Sequence, residues 1–341
     1  MRCPSVGDVV AVVCMGTIFV LLGLYGYYVM VPVLKYLPLY VVSVIKITHD
    51  IFSKEPLRTF DSMLLPYMFH PKVNEKTYAT KNLLSCPKKG KYVQLVVVIP
   101  SAPYRESARM SIRQTWGRFG IRKDISIFFL IGKTYTKKTE KNVDKESRLY
   151  KDILMGNFHD KYENLPLKSV TMLRWVRDHC PSAKYLLKSD DDVFVNIPRL
   201  LKFIKKLNPK KRAIYGRIHK NAKPVRNPKG KHYLPYKEYK DKLLPDFANG
   251  PAYLIPVSVV DELYQATLYH QIIRLEDVFL TGIVASNLGI ERINNYEFRS
   301  EITKLWCLLQ RSIAIHKVPE LKLYEYWEDT FYAKKMCDRF N

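Results

Sequence analysis

The chain has no Asn-x-Ser/Thr sequon, no CxxC pair, no GxGxxG and no GxxxxGK[ST] motif. The missing CxxC argues against a structural zinc site. The two missing glycine motifs remove the main sequence support for the ordinary dinucleotide fold and for P-loop NTPases. Without a sequon the chain is expected to fold without glycan assistance. Glycine is scarce, 14 in 341 residues, and no short period repeats, which argues against collagen, coiled-coil and low-complexity readings. Acidic residues are also few, 32 against 56 Lys+Arg, leaving a formal charge of +24. Charge is spread along most of the chain, which argues against a multispanning membrane protein.

What is present points to a folded body behind a membrane segment. Hydrophobic residues make up 47% and aromatics 13%, enough for a sizeable core. The first 80 residues hold 7 basic and 5 acidic side chains, +2, so the remaining 261 carry +22. Such a body attracts anions in general, or simply presents a solvated basic surface. Residues 9–34 contain no charge over 26 positions. A spanning helix needs about 20 apolar residues, and a cleaved signal peptide has an apolar core of only about 7–15. We therefore expect an uncleaved signal-anchor at 9–34, a stem at 35–85 and a body from 86 to 341. Arg2 with Asp8 on one side and Lys35 with Lys46 on the other do not decide its orientation. Of the six cysteines, Cys3 and Cys14 belong to the anchor region. Cys86, Cys180, Cys307 and Cys337 remain, compatible with two disulfides or with four reduced thiols.

The body alternates strand and helix signals. Residues 94–99 (QLVVVI) and 125–131 (ISIFFLI) are apolar β-rich runs, the pattern of buried strands. Helical spacing follows at 105–116, with Ala108, Ile112 and Trp116 four apart, and again at 167–179 and 198–207. Further strands are expected at 185–187, 213–215 and 252–255, and a helix at 258–268 with Ser258 as its N-cap. The lysine-rich stretch 133–145 reads as a loop, with a helix beginning only at 145–151. The alternation predicts an α/β fold with a mostly parallel central sheet.

Three aspartates, Asp190, Asp191 and Asp192, end the strand that begins at 185. Adjacent carboxylates repel, and a hard divalent cation such as Mg²⁺ or Mn²⁺ relieves them. Ligands of open α/β sheets bind at the carboxyl ends of strands, where this run stands. The alternative is a solvated acidic turn or a cap for the next helix. Glu276 and Asp277 open an apolar run, either complementing a helix dipole or placing a general base. Arg109 and Arg113 share a helix face, where they could hold a diphosphate or form salt bridges.

Taken in order, these pieces resemble the animal β-1,3-galactosyltransferase and β-1,3-N-acetylglucosaminyltransferase family, inverting enzymes with a DxD motif. The matches are 109–117 (RMSIRQTWG), Glu146-Ser147 with Asp152-Ile153, the run Tyr162, Asn164, Leu165, Lys168 and Trp175, then 188–196 (KSDDDVFVN), 250–253 (GPAY), 276–282 (EDVFLTG), and His316 in 313–317 (IAIHK). The resemblance implies a GT-A-type nucleotide-sugar-binding domain and a single-pass type II protein of the Golgi membrane. Residues 1–8 would be cytoplasmic and 86–341 the lumenal catalytic domain. It pairs Cys86 with Cys180 and Cys307 with Cys337. It makes Asp190 and Asp192 the DxD pair for Mn²⁺, Asp192 more directly, with His316 as a further ligand. Asp191 would point to the ribose or donor sugar. Arg109, Arg113 and Glu276 join the nucleotide-sugar site, and Asp277 is the general base. The donor implied is UDP-galactose and the acceptor a terminal GlcNAc- or GalNAc-type sugar on a glycoprotein or glycolipid, with no nucleic acid as partner. UDP-GlcNAc transfer, or a silent glycan-binding relative, is the alternative. Two departures from the family pattern stand out: Ala248, where many members carry Cys, and Thr281, an extra residue after Asp277.

Overall fold

Val, Ile and Phe fill two uninterrupted apolar runs, and these become the centre of the sheet: β1 (Leu95–Pro100) and β2 (Ile125–Lys133). Every residue of β1 is buried, as expected of a strand covered on both faces. Leu95, Val97 and Ile99 pack with Ile112, Trp116 and Leu323 on one face. Val96 and Val98 pack with Val170, Leu173 and Val176 on the other. The structure, a computed structural model, describes residues 80, 84–302 and 306–332. The expected anchor at 9–34, almost all of the stem and Cys337 lie outside the described residues. Among the described residues no helix is long and apolar enough to cross a membrane.

Seven strands run in the order β3-β2-β1-β4-β7-β6-β8. The others are β3 (Ile153–His159), β4 (Tyr185–Ser189), β6 (Ala213–His219), β7 (Phe247–Pro256) and β8 (Glu291–Asn294). β1 is parallel to β2 and β4, β2 to β3, and β6 to β8. β7 alone runs antiparallel, against β4 and β6, so the sheet is mixed and mostly parallel. A second sheet of three short strands joins β5 (Phe194–Val195), β10 (Ala314–Ile315) and β9 (Phe298–Arg299).

The longer helices are α1 (Glu106–Gln114), α2 (Lys137–Tyr150), α3 (Leu165–His179), α4 (Ile197–Ile204), α5 (Val260–Thr267) and α6 (Glu320–Tyr332). Several differ from the sequence expectation. The lysine-rich stretch is mostly helix: Thr136 caps α2 by accepting from the Thr139 N–H, and Lys, Glu and Arg are good helix formers. β3 was not expected. Its two glycine-free ends flank Gly156, which masks the strand pattern. Ser258 does not cap α5; it sits in a 3-10 turn and donates to the Pro209 carbonyl. A disulfide joins Cys86 to Cys180, as the resemblance implied. Cys307 is also disulfide-bonded.

Candidate active site

The order of strands reverses between β2-β1 and β4-β7, and ligands of open sheets collect at such a switch, at the carboxyl ends. β1 ends there in Pro100-Ser101 and β4 in Ser189-Asp190. A cleft of about 760 Å³ opens at this edge. Its lining includes Ser101, Arg105, Lys168, Asp190, Asp191, Asp192, Glu276, Asp277, His316 and Lys317.

The small sheet brings the metal candidates together. β5 follows Asp192 by one residue, and β10 immediately precedes His316. Their antiparallel pairing, Phe194 with Ile315, sets the histidine beside the aspartates. The Val318 N–H donates to the Asp192 carbonyl at 2.9 Å and fixes the same approach. Ligand atoms of Asp190, Asp192 and His316 lie within 4.8 Å of one another. His316 Nε2 is 3.4 Å from Asp192 Oδ2. Burial acts to raise the Asp192 pKa, but the His316 hydrogen bond and nearby Arg105 leave it below the usual carboxylate value.

Asp277 stands on the other side of the cleft. Its Oδ1 accepts from the Val278 N–H at 2.9 Å and its Oδ2 from the Gly250 N–H at 3.1 Å. A Cβ at Gly250 would sit 3.2 Å from that Oδ2, tighter than an ordinary contact, so any larger residue here would push on the Asp277 carboxylate. Burial raises the Asp277 pKa, against the pull of the Val278 N–H and the Lys188 charge. Glu276 points away into a buried network. Its Oε1 accepts from Ser169 Oγ at 2.5 Å and Tyr253 OH at 2.6 Å.

Between the two halves lies Lys188, whose side chain is 5% exposed. Its Nζ donates to Asp190 Oδ1 at 2.5 Å and to the Gly250 carbonyl at 2.6 Å, and lies 3.9 Å from Glu276 Oε2. Burial would lower the Lys188 pKa, but the surrounding carboxylates hold it above its ordinary value. One ammonium thus serves three carboxylates, Asp190, Glu276 and Asp277, while Asp192 answers to His316 and Arg105. The surplus negative charge, with two carboxylates and an imidazole converging, fits a divalent cation held by Asp190, Asp192 and His316.

Arg109 and Arg113 take a different place from the one expected. Arg109 is fully buried: it makes a two-pronged pair with Glu146, at 2.8 and 2.6 Å, and donates to the Ala102 and Pro103 carbonyls. Arg113 pairs with Glu146 and Asp152 at 2.8 Å each and lies over the Tyr150 ring. Neither lines the cleft; they hold the 101–105 loop and α2 against α1. Both guanidiniums are turned inward because the helix face they share is the packed one, which spacing alone could not tell from a ligand-facing one. Besides Lys188, cations that line the cleft include Arg105 and Lys317. Arg105 Nε donates to Asp191 Oδ2 at 2.8 Å, and Ser101 Oγ donates to the same oxygen at 2.7 Å. Asp191 therefore faces the β1 end, and its carboxylate is already held there. Lys188 and Lys317 lie within matched motifs, but neither they nor Arg105 was expected in the site.

The two departures meet each other. Thr281, an extra residue by the family pattern, lies in a π-helical turn (Val278–Val284), a form often found at functional sites. Its buried hydroxyl donates to the Asp277 carbonyl at 2.6 Å and accepts from the Ala248 N–H at 2.9 Å. The insertion thus fastens the helix of Asp277 to β7 at the very residue that departs from the pattern.

Comparison with known proteins places the chain in a family. Residues 107–296 match the family described as Galactosyltransferase. The chain is 32% identical over 270 residues to human beta-1,3-galactosyltransferase 1, covering 77% of this chain and 79% of that one. It is 33% identical over 240 residues to human beta-1,3-galactosyltransferase 5, covering 69% and 77%. The solved galactosyltransferase LgtC, in complex with donor and acceptor sugar analogs, is 11% identical at a TM-score of 0.36, covering 69% of this chain and 95% of that one, too faint a likeness to argue from. With over half its length matched and such relatives above 30% identity, the chain belongs to the galactosyltransferase family.

Proposed function

We propose that the protein is an inverting β-1,3-galactosyltransferase, moving galactose from UDP-galactose to the 3-hydroxyl of a terminal GlcNAc- or GalNAc-type sugar on a glycoprotein or glycolipid. The observation that carries this is the convergence of Asp190, Asp192 and His316 in one cleft with Asp277. That donor set suits Mn²⁺, which when bound neutralises charge on the departing diphosphate. Arg105 and Lys317, the cations beside this group, bind the diphosphate oxygens in place of Arg109 and Arg113. Lys188 keeps Asp190 and the Gly250 backbone in register, so that the donor half and the base half hold one geometry.

Asp277 takes the proton of the acceptor hydroxyl as general base. Two backbone N–H groups fix the orientation of its carboxylate, and its raised pKa improves it as a proton acceptor. Attack on the side away from the diphosphate gives the β product. In this reading residues 9–34 anchor the chain in the Golgi membrane with the catalytic body in the lumen, supported by the uncharged run and the family resemblance.

The test is transfer by the detergent-solubilised full chain. UDP-galactose or UDP-GlcNAc is supplied with Mn²⁺ and a panel of terminal GlcNAc, GalNAc and Gal acceptors, with Asp277→Asn as control. Galactose in β-1,3 linkage, absent from the control, is the expected product. UDP-GlcNAc as the better donor would overturn the donor assignment. Absence of UDP binding by the folded chain would overturn the transferase reading.

A further inference from the structure

The connection between β6 and β7, residues 220–246, is far longer than ordinary strand connections, and long ordered loops commonly carry function. It is a built element. Val225 bridges to Tyr233, and the Leu234 N–H donates to the Val225 carbonyl at 2.9 Å. Arg226 donates to the carbonyls of Leu234 and Asp241 and lies over the Tyr236 ring. Leu234, Tyr239 and Leu244 are buried in the main core, and Glu238 is tied to Arg274 at 2.6 Å.

This loop returns into β7 three residues before Gly250, whose N–H holds Asp277. It therefore stands on the general-base side of the cleft, with the Asp-Asp-His group on the other. Lys231 and His232, at its tip, line the cleft. Lys231 Nζ comes within 6.0 Å of the Tyr162 ring, and Tyr162 in turn feels the charges of Asp277 and Asp190.

Charge on this rim is unbalanced. Residues 220–242 contain eight Lys and Arg against two Asp and Glu. Elsewhere in the cleft Lys168 is paired with Asp160, Lys188 with Asp190 and Arg274 with Glu238, while Arg105 and Lys317 stand beside the Asp-Asp-His group, where the proposed diphosphate lies. Among the described residues Lys231 has no ion pair, and neither have Lys223, Lys229, Lys237, Lys240 or Lys242. A cation left without an ion pair at the mouth of a site is available to an anionic ligand.

We infer that the acceptor of this site is an anionic glycan. A carboxylate, sulfate or phosphate group on the acceptor, away from its reacting 3-hydroxyl, is held by Lys231 and His232. This rests on the transferase reading above and names the acceptor class for that same site.

The experiment compares acceptors identical except for one group: neutral, carboxylate-bearing, sulfated and phosphorylated versions of the same terminal sugar. The full chain, UDP-galactose and Mn²⁺ are used, and kcat/KM is read for each. At least one anionic form is expected to exceed the neutral one by roughly three- to tenfold, the scale of a few exposed charge contacts, and the excess should shrink with added salt. The four arms identify which anion serves. Lys231→Glu should abolish the excess and Lys231→Arg should keep it, with melting temperature confirming that both variants fold. Equal or better use of the neutral acceptor would overturn the inference while leaving the transferase reading intact.

Binding to the same glycans immobilised on a surface is measured in parallel and needs no turnover. If no acceptor is galactosylated, the transferase reading fails, and a Lys231-dependent preference for anionic glycans in this arm still decides the inference. Phosphatidylserine vesicles complete the set. A Lys231→Glu variant that loses vesicle binding but keeps its glycan preference would overturn the assignment of this rim to the acceptor.

Discussion

Lys188 shows how one side chain can organise a reaction centre. A buried ammonium between Asp190 and Glu276 is costly to desolvate, and removing it leaves carboxylates unpaired. Lys188→Met is expected to cost about 3–5 kcal/mol of stability, read by denaturant unfolding. Asp277 makes a different kind of prediction. As general base it works only when ionised, and burial lifts its pKa above the ordinary 3.8. The kcat should therefore fall as pH drops through that raised value, and level off above it. A profile that stays flat down to the ordinary carboxylate range would count against its role. Asp277→Asn should lower kcat by about 10²–10⁴-fold with UDP affinity kept.

At the level of elements, the 101–105 loop after β1 is pinned from below by Arg109 and from the side by Lys168, whose Nζ donates to the Ser101 carbonyl at 2.8 Å. Arg109→Met breaks a pair that is wholly buried, so unfolding should come about 3–5 kcal/mol earlier, whereas Arg105→Ala should weaken UDP binding more than it weakens the fold. Measuring both properties in both variants separates pinning from binding. Thr281→Val tests the π-helical turn: two hydrogen bonds are lost from a buried site, at about 1–3 kcal/mol, and Asp277 loses its local support. The sequence made much of this legible and some not. Apolar runs announced β1 and β2, and the Asp run announced a site at a strand end, because burial and charge repulsion leave marks in composition. The three-stranded sheet left none. β5 and β10 are two residues each, and Val195 pairs with Ala314 119 positions further on (314 − 195), so no local pattern could place His316 beside Asp192. Only the motif order did so. Likewise the inward turn of Arg109 depends on Glu146 in another helix, which helical spacing does not encode.

Across the whole molecule, the disulfide from Cys86 to Cys180 closes a loop with a sequence separation of 94 and ties the chain before β1 to the end of α3. In the chain-entropy account a loop of that size contributes about 4–5 kcal/mol, so Cys86→Ala should lower the melting temperature measurably under oxidising conditions and not under reducing ones. The same long-range character governs the site. Its parts are drawn from β4, from the start of the helix at 276, and from the segment after β10, and Asp190 and His316 are 126 positions apart (316 − 190). During synthesis the chain emerges from its N-terminal side at about 5–20 residues per second. The aspartates are thus outside the ribosome several seconds before the histidine exists. A chain made only as far as the aspartates cannot assemble the Asp-Asp-His group, and competence for the donor waits on the segment that brings His316.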